Sequence, residues 1–68
     1  MSLTVREWRR LREISQEDMA QRLNVHVNTF QKWEKDSGKI PFSKAVEIAK
    51  ILDVAIDDIS FVEQETIV

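Results

Sequence analysis

The sequence predicts an all-α domain: a compact bundle of about five short helices with a helix-turn-helix at its centre. Two apolar faces at helical spacing meet across one tight turn, Met19, Ala20 and Leu23 before it and Phe30 and Trp33 after it. A second amphipathic stretch runs from Phe42 to Leu52. With 43% hydrophobic and 32% charged residues, one glycine and one proline, the composition is that of a compact helical protein and not of a disordered chain. The 68 residues suffice for one domain, with a core over about 4–62 and a tail at 63–68. Its interior is small, so pairing with a second copy is a natural source of stability.

Thr4-Val5-Arg6-Glu7 is a capping-box sequence that starts a first helix near Val5, ending before Ser15. Val5, Trp8 and Leu11 face inward, whereas Arg6, Arg10 and Glu13 face outward. Met1, Ser2 and Leu3 carry no functional expectation. Ser15 is the N-cap of a second helix whose first residue is Gln16, with Asp18 as a short version of the box acid. Ala20, in the middle of that helix, is small enough for a neighbour to cross closely. Asn24 suits a left-handed turn position, and Val25 plugs the angle between the helices.

Turning Phe30 and Trp33 inward places Asn28, Gln31, Lys32 and Lys35 on the opposite face of the next helix, with His26 and Val27 at its tip. That face is polar, positively charged and free of acid. It suits the DNA major groove, where Asn pairs with adenine and Lys reaches guanine acceptors or phosphate. The segment 35–41 is a loop containing the single Gly and Pro, and Pro41 fits the first turn of a following helix. Lys35, Lys39, Ser43 and Lys44 surround it as candidate phosphate contacts, opposed by Asp36. In the Phe42–Leu52 helix, Phe42, Ala45, Ile48, Ala49 and Leu52 face inward. Val54 fills the core after Asp53, and a short final helix is expected from about Ile56 to Phe61 or Val62.

The central segment resembles the DNA-binding helix-turn-helix of the phage repressor/Cro family, on Gln16, Ala20, Leu23, Asn24 (usually Gly), Val25, Phe30, Trp33 and Glu34. The likeness extends from about Val5 to Ile59 and implies a lambda repressor-like domain. It implies a pairing of Arg9 with Glu34 that clamps the first helix to the third; the alternative is two unrelated surface charges. It places Gln16 on the DNA backbone, where a helix N-terminus favours phosphate, or leaves it a plain helix-start residue. His26 stands where the family usually has Ser or Thr, and caps weakly, meets a phosphate or lies on the surface. Val27 departs from the long polar residues common there, and is a thymine-methyl contact or an edge of the core. The expected base contacts are thus Val27, Asn28, Gln31 and Lys32, and the phosphate contacts Gln16, His26, Lys35, Lys39, Ser43 and Lys44.

The net charge of −2 divides unevenly: residues 1–35 hold seven basic and five acidic side chains, residues 36–68 three and seven. This is a DNA-facing front with an acidic back, or ordinary scatter. Val46, Ile51, Ile56, Ile59, Phe61 and Val62 exceed what one small core should absorb, pointing to a homodimer interface near the C-terminal end unless they line the monomer core. Residues 63–68 are a frayed tail or an added dimer strand.

With one His and no Cys, neither a metal site nor a disulfide is expected. The usual parts of an enzyme are missing, so no cofactor or small-molecule ligand is expected. No apolar run approaches membrane-spanning length and no leader opens the chain, so a soluble cytoplasmic protein is expected. The resulting expectation is a sequence-specific transcriptional regulator that covers double-stranded operator DNA as a dimer. The competing reading is an antitoxin-like or anti-repressor protein acting mainly through a protein partner.

Overall fold

Among the described residues four helices follow one another through short connections: α1 (Val5–Leu11), α2 (Gln16–Leu23), α3 (Val27–Lys35) and α4 (Phe42–Leu52). This computed structural model describes residues 2–61. Two short strands, β1 (Leu3–Thr4) and β2 (Ile59–Ser60), pair in parallel, Leu3 opposite Ile59 and Thr4 opposite Ser60.

The helix starts follow local chemistry. Thr4 Oγ1 accepts from the Glu7 amide at 3.1 Å and Glu7 Oε1 from the Thr4 amide at 2.9 Å, which closes the capping box on both sides. Ser15 Oγ accepts from the Asp18 amide at 3.0 Å, but the Asp18 carboxylate turns to Arg22 at 3.1 Å, so the second box is closed on one side only. Pro41 stands at the N-cap of α4, one residue earlier than expected.

Three helices end in the same way. Glu13, Asn24 and Asp53 take left-handed conformations with φ of 58°, 58° and 60°. After each one the next amide reaches back into the helix, Ile14 to the Arg9 carbonyl at 3.1 Å, Val25 to Ala20 at 3.0 Å and Val54 to Ala49 at 3.1 Å. These are Schellman closures, which satisfy carbonyls that the helix itself cannot. Asn24 occupies its expected conformation.

Val5, Met19, Leu23, Phe30, Ile48 and Leu52 are fully buried and form the centre of the core. Ala20 is buried beside them, where a longer side chain would hold α2 off its neighbours. Trp8, Val25, Trp33 and Val54 are half-buried against this cluster. Trp8 Nε1 donates to the Asp58 carbonyl at 2.7 Å, and Arg12 Nε donates to the Leu52 carbonyl at 2.8 Å, so α1 is tied to the end of α4 and to the chain beyond it. The Arg12 guanidinium also lies over the Trp8 ring, 5.2 Å from its centroid.

Four expectations need correction. Phe42 is not inward: it is 76% exposed, because the first residue of a helix projects its side chain back past the helix start and away from the packed turns. Leu11 is 59% exposed, lying about 120° around α1 from Val5. The expected final helix is replaced by a 3-10 turn at Ile56–Asp58 and by β2. A helix that short gains little from its few hydrogen bonds, whereas pairing with β1 satisfies backbone groups of both segments. Leu3, given no role from the sequence, thereby becomes half of the parallel pair. The segment expected as a plain loop contains a second 3-10 turn at Ser37–Lys39. Of the surplus apolar residues, Ile59 is buried in the core and Ile51, Ile56 and Phe61 pack against it. Val46 is half-buried, while Val62 and residues 63–68 lie outside the described residues.

Candidate nucleic-acid interface

The site is built on α3, and its orientation comes from Phe30. With that ring wholly buried and Trp33 half-buried behind it, Asn28, Lys32 and Lys35 are exposed on the other side, and Gln31 is half-exposed among them. His26 is the N-cap of α3: its Nδ1 accepts from the Asn28 amide at 3.1 Å. The residue that departs from the usual Ser or Thr thus still satisfies a free donor of the helix start. Val27 is half-buried against the core, which anchors the N-terminal tip of α3 and leaves part of its side chain accessible.

Beneath this surface runs a continuous polar chain. Arg9, buried in α1, contacts Glu34 through Nε at 2.5 Å and donates from Nη1 to the Ile14 carbonyl at 2.8 Å. The Glu34 side chain is 4% exposed, so this pair is an interior clamp between α1 and α3 and not a surface ornament. Gln16 Nε2 donates to Glu34 Oε1 at 2.8 Å, and Gln31 Nε2 donates to Gln16 Oε1 at 3.0 Å. Among the described residues no buried side-chain polar atom lacks a hydrogen-bond partner. A fully satisfied network of this kind holds its members in place, because losing any link leaves a desolvated group unpaired.

Gln16, Gln31, Glu34, Lys35 and Arg6 together line a polar depression of about 260 Å³ where α1, α2 and α3 meet. The structure therefore brings Gln16 and Lys35 to one place, and adds Arg6, which the sequence placed outward without a role. Gln16 keeps one Nε2 hydrogen for a further acceptor after its bond to Glu34.

The remaining candidate cations differ in how far they are already committed. Lys39 is 74% exposed and only loosely paired with Asp36 at 3.8 Å. Ser43 is exposed at the first turn of α4. Lys44, by contrast, donates to the Leu23 carbonyl at 2.8 Å and lies 3.6 Å from Glu47, so its ammonium closes the C-terminus of α2. Sequence reasoning missed this use of Lys44 and that of Arg12 on Leu52, since both depend on which helix end comes to lie beside which cation.

Among the described residues no helix is long and apolar enough to cross a membrane. No curated protein and no solved structure shows significant similarity to the chain. The helix-turn-helix family model does match, over residues 5–59, the span that contains α1 to α4 and the start of β2. The chain accordingly belongs to the Cro/repressor-type helix-turn-helix family, whose members are DNA-binding transcription regulators.

Proposed function

We propose that the chain is a sequence-specific regulator that binds operator DNA as a homodimer, laying α3 in the major groove. The observation that carries this reading is the contrast between the two sides of α3: a wholly buried Phe30 against exposed Asn28, Lys32 and Lys35. In the groove Asn28 presents paired donor and acceptor groups to an adenine edge, Lys32 reaches guanine acceptors, and Val27 meets a thymine methyl. Gln31 stands beside them. Gln16 with its remaining N–H, His26, Lys35, Lys39, Ser43 and the newly placed Arg6 contact phosphates and set the register. Lys44 contributes through the α2 terminus that it closes more than through free charge.

The partner surface is a separate groove. Ile40, Phe42, Ile56 and Phe61 line a groove of about 520 Å³, and the exposed Phe42 ring stands at its edge. A second copy contributing its own Phe42 fills such a groove by two-fold symmetry. Two recognition helices carried about 34 Å apart then read half-sites one turn apart on one face of the duplex.

Selection of bound sites from a random duplex pool, followed by titration against single-base variants of the selected site, tests the reading. Asn28→Ala is expected to cost about 1–3 kcal/mol at one base position, whereas Lys39→Ala weakens all variants alike and flattens the salt dependence. Uniform loss for Asn28→Ala would refute direct readout. A stoichiometric protein partner with no salt-sensitive DNA binding would favour the antitoxin-like alternative.

A further inference from the structure

Gln31 is an amide, and an amide on a recognition helix is ambiguous: turned one way it offers a carbonyl oxygen to a base, turned the other way two N–H groups. In this chain the ambiguity is removed from inside the protein. An arginine can only donate and an ionised glutamate can only accept, so Glu34 accepts from Arg9. Its carboxylate can offer Gln16 nothing but an acceptor, which forces the Gln16 NH₂ toward Glu34, as observed at 2.8 Å. The Gln16 carbonyl oxygen is then what faces Gln31, and it forces the Gln31 NH₂ inward, as observed at 3.0 Å. Among the described residues nothing donates to Gln31 Oε1, and Gln31 is half-exposed beside Asn28 and Lys32.

We propose that the Arg9–Glu34–Gln16–Gln31 chain fixes the polarity of Gln31, holding its carbonyl oxygen outward so that it reads an exocyclic amino group in the major groove. The bases that carry one there are adenine, at N6, and cytosine, at N4; guanine and thymine present oxygen at the equivalent place. One Gln31 N–H remains after the bond to Gln16, so adenine is also able to engage through N7. Gln16 acts here as a positioning residue: its part in specificity is exerted through Gln31, separately from any phosphate it contacts. The identity of the residue at 34, buried and remote from the bases, becomes part of the base preference. This inference rests on the reading of α3 as the major-groove helix.

The experiment begins with site selection from a random double-stranded DNA pool by the wild-type chain and by Gln31→Ala. The base pair at which Gln31→Ala abolishes selectivity is the one Gln31 reads. Synthetic sites are then made in which the exocyclic amino group at that pair is removed, 2-aminopurine replacing adenine or 5-methyl-2-pyrimidinone replacing cytosine. Removing it is expected to weaken the wild-type chain about tenfold and to leave Gln31→Ala unaffected. Gln16→Met keeps the bulk but breaks the relay, and is expected to reduce that discrimination to about twofold or less, because Gln31 is then free to turn. Glu34→Gln runs the relay backwards: its carbonyl accepts from Arg9, its NH₂ turns to Gln16, and Gln31 ends with its N–H groups outward, so the selected pair should reverse from amino to keto base. Circular dichroism reports whether Glu34→Gln is folded, and Gln16→Met decides the matter if it is not. A pool that yields no selected site overturns the DNA reading and the proposal with it. Selected sites whose binding by the wild-type chain is indifferent to the amino group, or a discrimination unchanged in Gln16→Met, overturn the polarity relay while leaving the DNA reading intact.

Discussion

Two surfaces of this domain are built in opposite ways. At the α2–α3 end the outward groups are polar, and a buried chain from Arg9 to Gln31 decides how they stand. Beside the turn that follows α3 and the chain that follows α4, Phe42 is left 76% exposed at a groove, with Ile56 and Phe61 only half-covered. The first surface is finished in the isolated chain, since its internal hydrogen bonds are made before any ligand arrives. The second is unfinished, because apolar area of that kind reaches its lowest free energy only when something covers it. A small core therefore supports one polar face held from inside and leaves spare apolar groups exposed elsewhere.

The sharpest way to break this comparison is to compare two ion pairs that look alike in a contact map. Arg9 and Glu34 are nearly enclosed, with side chains 10% and 4% exposed, whereas Arg22 and Asp18 are 50% and 43% exposed. Arg9→Ala leaves a carboxylate buried with both of its arginine donors lost, and should cost about 3–5 kcal/mol in urea denaturation. For a domain of this size, with roughly 0.05–0.15 kcal/mol of stability per residue, that is between about a third and the whole of the folding free energy. Arg22→Ala should cost less than about 1 kcal/mol. Equal costs would mean that the interior chain does not set the front surface.

Much of the front end was legible in the sequence. Thr4 with Glu7, Ser15, Asn24 and the Phe30 and Trp33 spacing act over three or four residues, and local chemistry decides them before the rest of the chain is placed. The back end was less legible because its outcome depends on distant partners. Nothing near Ile59 indicates that Leu3 will lie beside it, so a strand pair was read as a helix. Phe42 obeys the helical period of α4 and is still exposed, because periodicity gives a direction but not whether any neighbour reaches that far. The bond that Lys44 makes was hidden for the same reason: its charge was visible, but the Leu23 carbonyl that takes it belongs to another helix.

A substitution at the back should separate the surfaces cleanly. Phe42→Ser removes apolar area that the monomer does not bury, so the stability of the isolated fold should change by no more than about 0.5 kcal/mol. If the groove holds a second copy, the dimer should weaken by about 2 kcal/mol or more, as for a central aromatic anchor. Sedimentation equilibrium reads this directly, and affinity for a two-half-site duplex should fall with it while affinity for a half-site stays level. Loss of fold stability without any change in self-association would place Phe42 in the monomer's own core.

The smallest expected effect concerns the helix ends shared by both regions. Glu13, Asn24 and Asp53 sit at nearly the same left-handed angles, a conformation that the short side chains of Asn and Asp tolerate and that of Glu does not. For Glu13 the conformation costs roughly 1–2 kcal/mol, and the greater freedom of a glycine in the unfolded chain offsets about 0.5–1 kcal/mol of the relief. Glu13→Gly should therefore stabilise the fold by about 0.5–1 kcal/mol, and Asn24→Gly by less. Because Glu13 is exposed and outside the polar chain, DNA affinity should not change. A gain at Asn24 as large as at Glu13 would show that the turn inside the helix-turn-helix is as strained as the one before it, and that the front end gains no relief from its asparagine.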